Sequence, residues 1–593
     1  MDPCTHGDHS AITSGTNSNQ KFAQTKNEHT TSVDNEAPWG PHLRSASLVR
    51  GLRSRHIQMS SICGMIGTGL FLASGSALAD AGPLGALESY SVMGLVTAAI
   101  AYTSGEMSAF MPVSGGFVHH VTTFVEKDLG AAVGWNFWYS IGITQAVELV
   151  GASSLVSFWA PNINPAAWIG IFWVATLCAN MGPVRYYGEV EFSFALIKIA
   201  LILGLLLMGI LIDTGAVGDH GAIGFRYWHR PGAFQQLPYV SNGIPSHIPG
   251  AFGRFLAFWS TLTNAAFAYG NVQVVGISGA ETVNPRRAIP KAVSRTFIRV
   301  VFFYVAAIFI LGLIVSSDDP ALSAGGGTAA RSPFVIAIKR AGIQALPGIV
   351  NAVVMTSALS SGISCVFLSS RTLVGLANDG HAPRFFLITN SFGTPWIAVL
   401  FTWSLGGFAF LSAQYTALKV LIWLVNLAAV AGLVCWVILC LAYIRMYAGI
   451  KAQGYSRSKL PYKSWPQPFL AWFGLVSCTV IVFFSGFQVF LKGNFTASGF
   501  LSNYINVFVF TGLYLLIKLY TRSWQIFIPA DKIDLSEFHL LEVERAEAAV
   551  RHDDIMRGDQ KPEPEGKADR PTPDNPRNHL RILEWLSGLG RLV

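Results

Sequence analysis

Between residues 57 and 521 one apolar stretch follows another, each long enough to cross roughly 30 Å of hydrocarbon as a helix. This succession constrains the fold more than any other feature, because a backbone in hydrocarbon must satisfy its own N–H and C=O groups. Charged residues are only 12% of the 593 and hydrophobic ones 51%, with a mean hydropathy of +0.44. Nearly half of the charges lie in the two ends, 1–56 and 521–593. A soluble chain cannot clothe the middle with so few charges. Collagen-like, coiled-coil and disulfide-scaffold folds are excluded on the same grounds, which leaves an all-α polytopic membrane protein.

Twelve transmembrane helices can be placed, near 57–79, 84–108, 131–158, 166–183, 191–213, 254–279, 297–316, 349–370, 395–412, 418–444, 468–491 and 503–521. An even number puts both ends on one side. With the ends cytoplasmic, loops on that side carry about 18 to 20 Lys and Arg and the opposite loops about eight, the asymmetry that sets orientation. The only N-x-S/T sequon, Asn494-Phe495-Thr496, falls in a loop assigned outside. The sequence predicts a disordered cytoplasmic tail over 1–43, too poor in apolar residues to order itself, a transmembrane domain over 44–524, and a cytoplasmic tail over 525–593. No signal-peptide pattern opens the chain, so the first span is expected to direct insertion. From about 530 the tail reads as solvated, with an acidic helical stretch from Asp534 to Asp554. Its last piece, Leu580 to Leu592, has helical periodicity suited either to a membrane surface or to a frayed end.

The formal charge of +8 does not point to nucleic acid, because the positive residues lie between apolar runs. Cys63, Cys178, Cys365, Cys435, Cys440 and Cys478 sit inside apolar runs without paired spacing and read as small core residues, not as a disulfide framework or metal site. Neither HExxH nor GxxxxGK[ST] occurs. The expectation is no enzyme, no cofactor, no metal and no ATP drive.

Helix breaks within a bilayer are tolerated only where they line a cavity or bind something. In the first span, Gly64, Gly67 and Gly69 fall within six residues, GMIGTG. No strand precedes them, so a dinucleotide loop is rejected. Either the segment is unwound, with N–H groups around Gly67, Thr68 and Gly69 aimed at a small anion, or the glycines serve close helix packing. The sixth span is interrupted at mid-depth by Tyr269, Gly270, Asn271, Val272 and Gln273. Glycine-bearing breaks five spans apart are the trace of two inverted repeats with a site between them. A carboxylate held at one break and an ammonium at the carbonyls of the other describe an α-amino acid.

Ionisable residues inside spans are costly and are functional candidates by default. Glu148 lies deep in the third span and Lys198 in the fifth. Lys198 either snorkels to the nearby cytoplasmic end or takes the place of a coupling cation, gaining and losing a proton. Glu148 has three readings: proton carrier, substrate contact, or partner of a polar neighbour. Glu88, Glu106 and Glu191, nearer span ends, read as interfacial or capping residues.

At these positions the chain resembles the yeast amino acid transporter family of fungal permeases, within the amino acid, polyamine and organocation superfamily, through about 44–535. The resemblance is carried by IGTGLF (Ile66 to Phe71), Ala81-Gly82-Pro83, GEM (Gly105 to Met107), GAETVNPRRAIPKAV (Gly279 to Val293), SPFVIAI (Ser332 to Ile338), NAVVMTSALSSG (Asn351 to Gly362), SSRTLVGLANDGHAP (Ser369 to Pro383), YIRMYAGIKAQG (Tyr443 to Gly454) and LPYKSWPQP (Leu460 to Pro468), in order. It implies two inverted five-helix repeats (LeuT-like) plus two C-terminal helices, proton-coupled uptake and a plasma-membrane address. Carried over residue by residue, Gly67, Thr68 and Gly69 match the carboxylate-binding break, Tyr269 to Gln273 the amine-side break, Glu148 the third-helix acid and Lys198 the lysine linked to proton coupling. The chain departs from the family in three places. Gln273 stands where many members have Glu, Ile363 and Cys365 replace polar residues, and Ala428 and Ala429 stand where Ser or Thr is common.

The reading is therefore a proton-coupled permease importing L-amino acids across the plasma membrane by alternating access, neutral side chains favoured. Its partners are an amino acid, a proton and the lipid bilayer. Ubiquitin ligase adaptors are expected at the tails, at Lys21 and Lys26. The alternatives are an amino acid sensor on the same scaffold, and a polyamine or cationic amino acid carrier.

Overall fold

The computed structural model describes residues 67–113, 115–218, 221–241, 244–273, 285–323 and 332–546. The N-terminal tail with Lys21 and Lys26, the first half of the first expected span, residues 274–284 and the C-terminal piece Leu580 to Leu592 lie outside them.

A π-helical turn, Gly69–Ala73, leads into α1, Ser74–Phe110. Two arms meet at Gly82, whose φ of 78° and ψ of 173° reverse the chain just before Pro83. The backbone groups freed there are taken by the loop at 233–235: Leu84 N–H donates to Ala233 O at 2.9 Å and Gln235 N–H to Ala81 O at 3.0 Å. A Cβ at Gly82 would stand 2.8 Å from Gln235 N, so both φ and space require glycine. The second arm is the expected second span, and the first arm is the described part of the expected first span.

Next come α2 (Phe117–Phe124), α3 (Lys127–Val156), α4 (Pro165–Met181), α5 (Val184–Asp213), a two-stranded antiparallel hairpin of β1 (Pro238–Ser241) and β2 (Ile244–His247), and α6 (Gly250–Ala268). The second part holds α7 (Pro285–Ile314), two short helices α8 (Pro320–Ser323) and α9 (Pro333–Arg340), α10 (Leu346–Asn378), and α11 (Trp396–Ser404), which continues as a 3-10 turn through Ala413. It ends with α12 (Ala417–Ala452), α13 (Phe469–Phe484) and α14 (Ala497–Thr521). Among the described residues, seven helical stretches are long and apolar enough to cross a membrane, and Pro165–Met181 and Val301–Ile314 are apolar but shorter.

Position in the bundle explains polarity. α3 packs against α10, α12 and α4, so its polar side chains meet protein, not lipid. Asn136 donates to Ala431 O at 2.9 Å, Ser140 to Ala428 O at 3.0 Å, and Gln145 to Thr176 Oγ1 at 3.2 Å. α14 is peripheral and exposes Phe508, Leu515, Leu516 and Leu519, the apolar face that hydrocarbon covers.

The two ends of α14 mark two faces of the molecule. On the face of Lys518, buried ion pairs fasten loops to helix ends. Glu106, fully buried, accepts from Arg457 at 2.7 and 2.8 Å, from Tyr443 OH at 2.7 Å and from Ser464 N–H and Oγ–H at 2.8 Å. The interfacial reading of Glu106 is therefore corrected: the loop at 457–464 covers it. The reading of the tail as solvated from about 530 is corrected only in part: most of residues 531–546 are exposed, but one side of the segment is docked. Ile528 N–H donates to Val125 O at 2.9 Å, and Ile533, Leu535, Phe538 and Leu541 are buried. Phe538 packs on Phe110 and stacks on Tyr455, with centroids 4.9 and 4.6 Å away.

Candidate functional site

The first arm of α1 begins deep in the bundle, where the leading N–H groups of a helix have no partner of their own. Thr68 N–H points at the Glu148 carboxylate of α3, 3.3 and 3.2 Å from its two oxygens. Ser361 of α10 donates to Glu148 Oε1 at 3.1 Å. Three glycines make this approach possible, each at a different wall. A Cβ on Gly67 would stand 2.2 Å from Glu148 Oε1, one on Gly69 2.7 Å from Ala268 Cα, and one on Gly151 2.5 Å from Thr68 Cγ2. Gly69 thus seats the first break against the end of α6.

That helix stops at Ala268. Tyr269 N–H still bonds to Ala265 O and Gly270 N–H to Phe267 O, both at 3.0 Å, after which Asn271 turns left-handed at φ 65°. The Ala268 carbonyl accepts from Tyr304 OH of α7 at 2.9 Å. The Tyr269 ring stacks on Tyr304 with centroids 4.7 Å apart. On the other side, Gly270, Asn271 and Gln273 line a cavity of about 30 Å³ with Ser140, Ala428 and Trp436, room for a water or two and no more. Gln273 Oε1 accepts from Trp436 Nε1 at 2.8 Å.

Lys198 does not snorkel: it is 1% exposed, and its charge acts on Glu148. Glu191 is also fully buried and accepts from Ser360 Oγ at 3.4 Å, which corrects the capping reading. Its spacing of seven from Lys198 places both on one helical face, a signal present in the sequence. Ser360 and Ser361 carried no signal beyond diluting the hydrophobicity of their span. The structure thus brings Gly67, Thr68 and Glu148 into contact, with Lys198 acting on the carboxylate, and sets Gly69 against the helix end that precedes Tyr269. Gly270, Asn271 and Gln273 lie apart, around the small cavity. A larger cavity of about 420 Å³, on the face of Asn494, reaches down to Leu72 and Ala73 just past the first break.

The fold is that of a helical membrane transporter. It matches a solved manganese transporter of Eremococcus coleocola, in complex with an aromatic bis-isothiourea substituted compound, over 82% of this chain and 97% of that one, with TM-score 0.50 and 13% identity. At that identity the likeness is one of fold alone. Sequence carries it further. The chain is 38% identical to the basic amino-acid permease of Saccharomyces cerevisiae (84% of this chain, 86% of the relative) and 37% to its lysine-specific permease (83% and 79%). It is also 37% identical to the proline-specific permease of Emericella nidulans (82% and 89%). The amino acid permease family model matches residues 56–529, so the chain belongs to the amino acid permease family and is a transporter, not an enzyme.

Proposed function

We propose that this permease imports L-amino acids together with a proton across the plasma membrane, favouring neutral side chains. Access alternates on twelve helices built as two inverted five-helix repeats plus two, with both termini cytoplasmic and ubiquitin ligase adaptors acting at the tails. The observation that carries the coupling is the contact of Thr68 N–H with the Glu148 carboxylate. A protein carboxylate occupies the helix start that a substrate carboxylate needs. Two anions cannot share it, so substrate entry requires Glu148 to withdraw or to take a proton. Lys198, whose charge acts on Glu148, sets the balance between those states. A proton bound at Glu148 frees the helix start for the substrate, and its release on the other side restores the contact and expels the substrate.

The side-chain preference is supported by the surroundings of the second break. The residues lining its cavity, among those described, include Ala428, Ala429 and Gln273 and no carboxylate. Glu148 is already engaged by Thr68 and Ser361. The relatives' names include both basic and proline-specific permeases at nearly equal identity, so identity does not choose between them.

The test is uptake of labelled neutral amino acids into permease-deficient cells over a range of external pH. Uptake should rise on acidification and be competed more strongly by neutral than by basic amino acids. Lys198→Ala should abolish uptake or remove its pH dependence. Binding without flux would replace the carrier with a sensor, and unchanged pH-dependent uptake by Lys198→Ala would remove the coupling role.

A further inference from the structure

Among the described residues, one charged group lines the 420 Å³ cavity, and this transport cycle does not use it. Asp80, in the last turn of the first arm of α1, lines it together with the amides of Asn264 and Asn426 and the hydroxyls of Ser76, Ser154 and Thr263. No Lys, Arg or His is among the lining residues described. Asp80 makes no hydrogen bond or ion pair among the described residues. Lys419, at the end of α12 that walls the cavity, is turned onto the rings of Tyr415 and Trp423, 5.6 and 5.1 Å from their centroids.

A lone carboxylate in a concave cleft focuses negative potential into the space before it. The surrounding amides and hydroxyls supply the remaining hydrogen bonds that a desolvated ammonium needs. Asp80 is also too far from the first break to belong to it: twelve residues of helix separate it from Thr68, about 18 Å at 1.5 Å per residue. A lysine spans roughly 7 Å from carboxylate to ammonium, so it cannot touch both.

We propose that Asp80 forms a separate docking subsite for an organic cation, the ammonium or guanidinium end of a basic amino acid or amine, in the vestibule above the carboxylate-binding break. The subsite reconciles a deep cavity without a carboxylate with a mouth that attracts positive charge. Basic amines occupy the entrance and obstruct neutral substrates without being carried.

Cadaverine tests the proposal, because it has two ammonium groups and no carboxylate with which to use the first break. Its binding to the purified full-length chain in lipid nanodiscs should weaken roughly tenfold or more in Asp80→Asn, about 1.4 kcal/mol, and persist in Asp80→Glu. Binding of a labelled neutral amino acid should be unchanged in both, which also shows that the variants fold. Equal cadaverine binding by Asp80→Asn would overturn the subsite. Displacement of cadaverine by equimolar potassium chloride would overturn the organic-cation assignment in favour of a simple cation site. Loss of neutral amino acid binding by the unaltered chain sinks the transport reading instead, so the two failures are distinguishable.

Discussion

Gly67 and Gly69 are two residues apart, yet their replacement should have different consequences. A Cβ on Gly67 meets the end of a side chain, Glu148 Oε1 at 2.2 Å, whereas one on Gly69 meets backbone, Ala268 Cα at 2.7 Å. A carboxylate can swing aside and a helix end cannot. Gly67→Ala should therefore keep normal thermal stability while Glu148 is pushed off Thr68, losing uptake or its pH dependence. Gly69→Ala should lower the melting temperature of the purified protein, with overpacking costing about 1–3 kcal/mol. Equal melting temperatures for the two variants would contradict this division. The glycines were legible as helix breakers within a span, and Glu148 and Lys198 as ionisable residues in apolar runs. Asp80 was not, since an acid beside a Gly-Pro turn reads as an ordinary span end until the cavity before it is seen.

Elements were legible where their surroundings are uniform. α14 faces lipid and reads as a plain apolar run. α10 reads weakly through Ser360, Ser361 and Ser364 because that face meets the buried acids Glu148 and Glu191, and buried polar contacts lower hydropathy without breaking a helix. Yet α10 runs unbroken from Leu346 to Asn378. The hairpin β1–β2 and the helix α2 had no periodic signal long enough to find. In α2 two adjacent histidines oppose each other. His119 Nδ1 lies 3.1 Å from Asp379 Oδ1, and that hydrogen bond raises its pKa above the usual 6.5. Its contribution is fully present below about 6.5 and fades as pH rises through the folded-state value. His120 donates from Nε2 to Met111 O at 2.8 Å, and burial holds it down to about 4. The fold must keep it neutral, so stability is lost as pH falls from about 6.5 towards 4. Melting temperatures measured across that window should drop more steeply on acidification for His119→Gln and less steeply for His120→Gln. Parallel curves for the three proteins would refute the assignment.

At the scale of the whole molecule, the segment 525–546 ties together parts far apart in sequence. Gln453 Nε2 donates to Ile533 O at 2.7 Å, Lys459 pairs with Glu542 at 2.8 Å, and Arg286 pairs with Glu537 at 2.5 Å and also with Glu544. The sequence showed the acidic residues but not the docking, because Ile533, Leu535, Phe538 and Leu541 are few and the surface they meet brings together Phe110 and Tyr455, far apart in the sequence. The exposed pair of Lys459 and Glu542 adds little, whereas Phe538 is 1% exposed. Phe538→Ala should cost about 3–5 kcal/mol of docking and open the segment to limited proteolysis even at low salt. Protection equal to that of the unaltered chain would show that the charges hold it. A purification handle or fluorescent fusion therefore belongs after residue 546. A chain trimmed back to Thr521 for crystallisation would leave Phe110 and Tyr455 bare and invite clumping of the very preparation it was meant to improve.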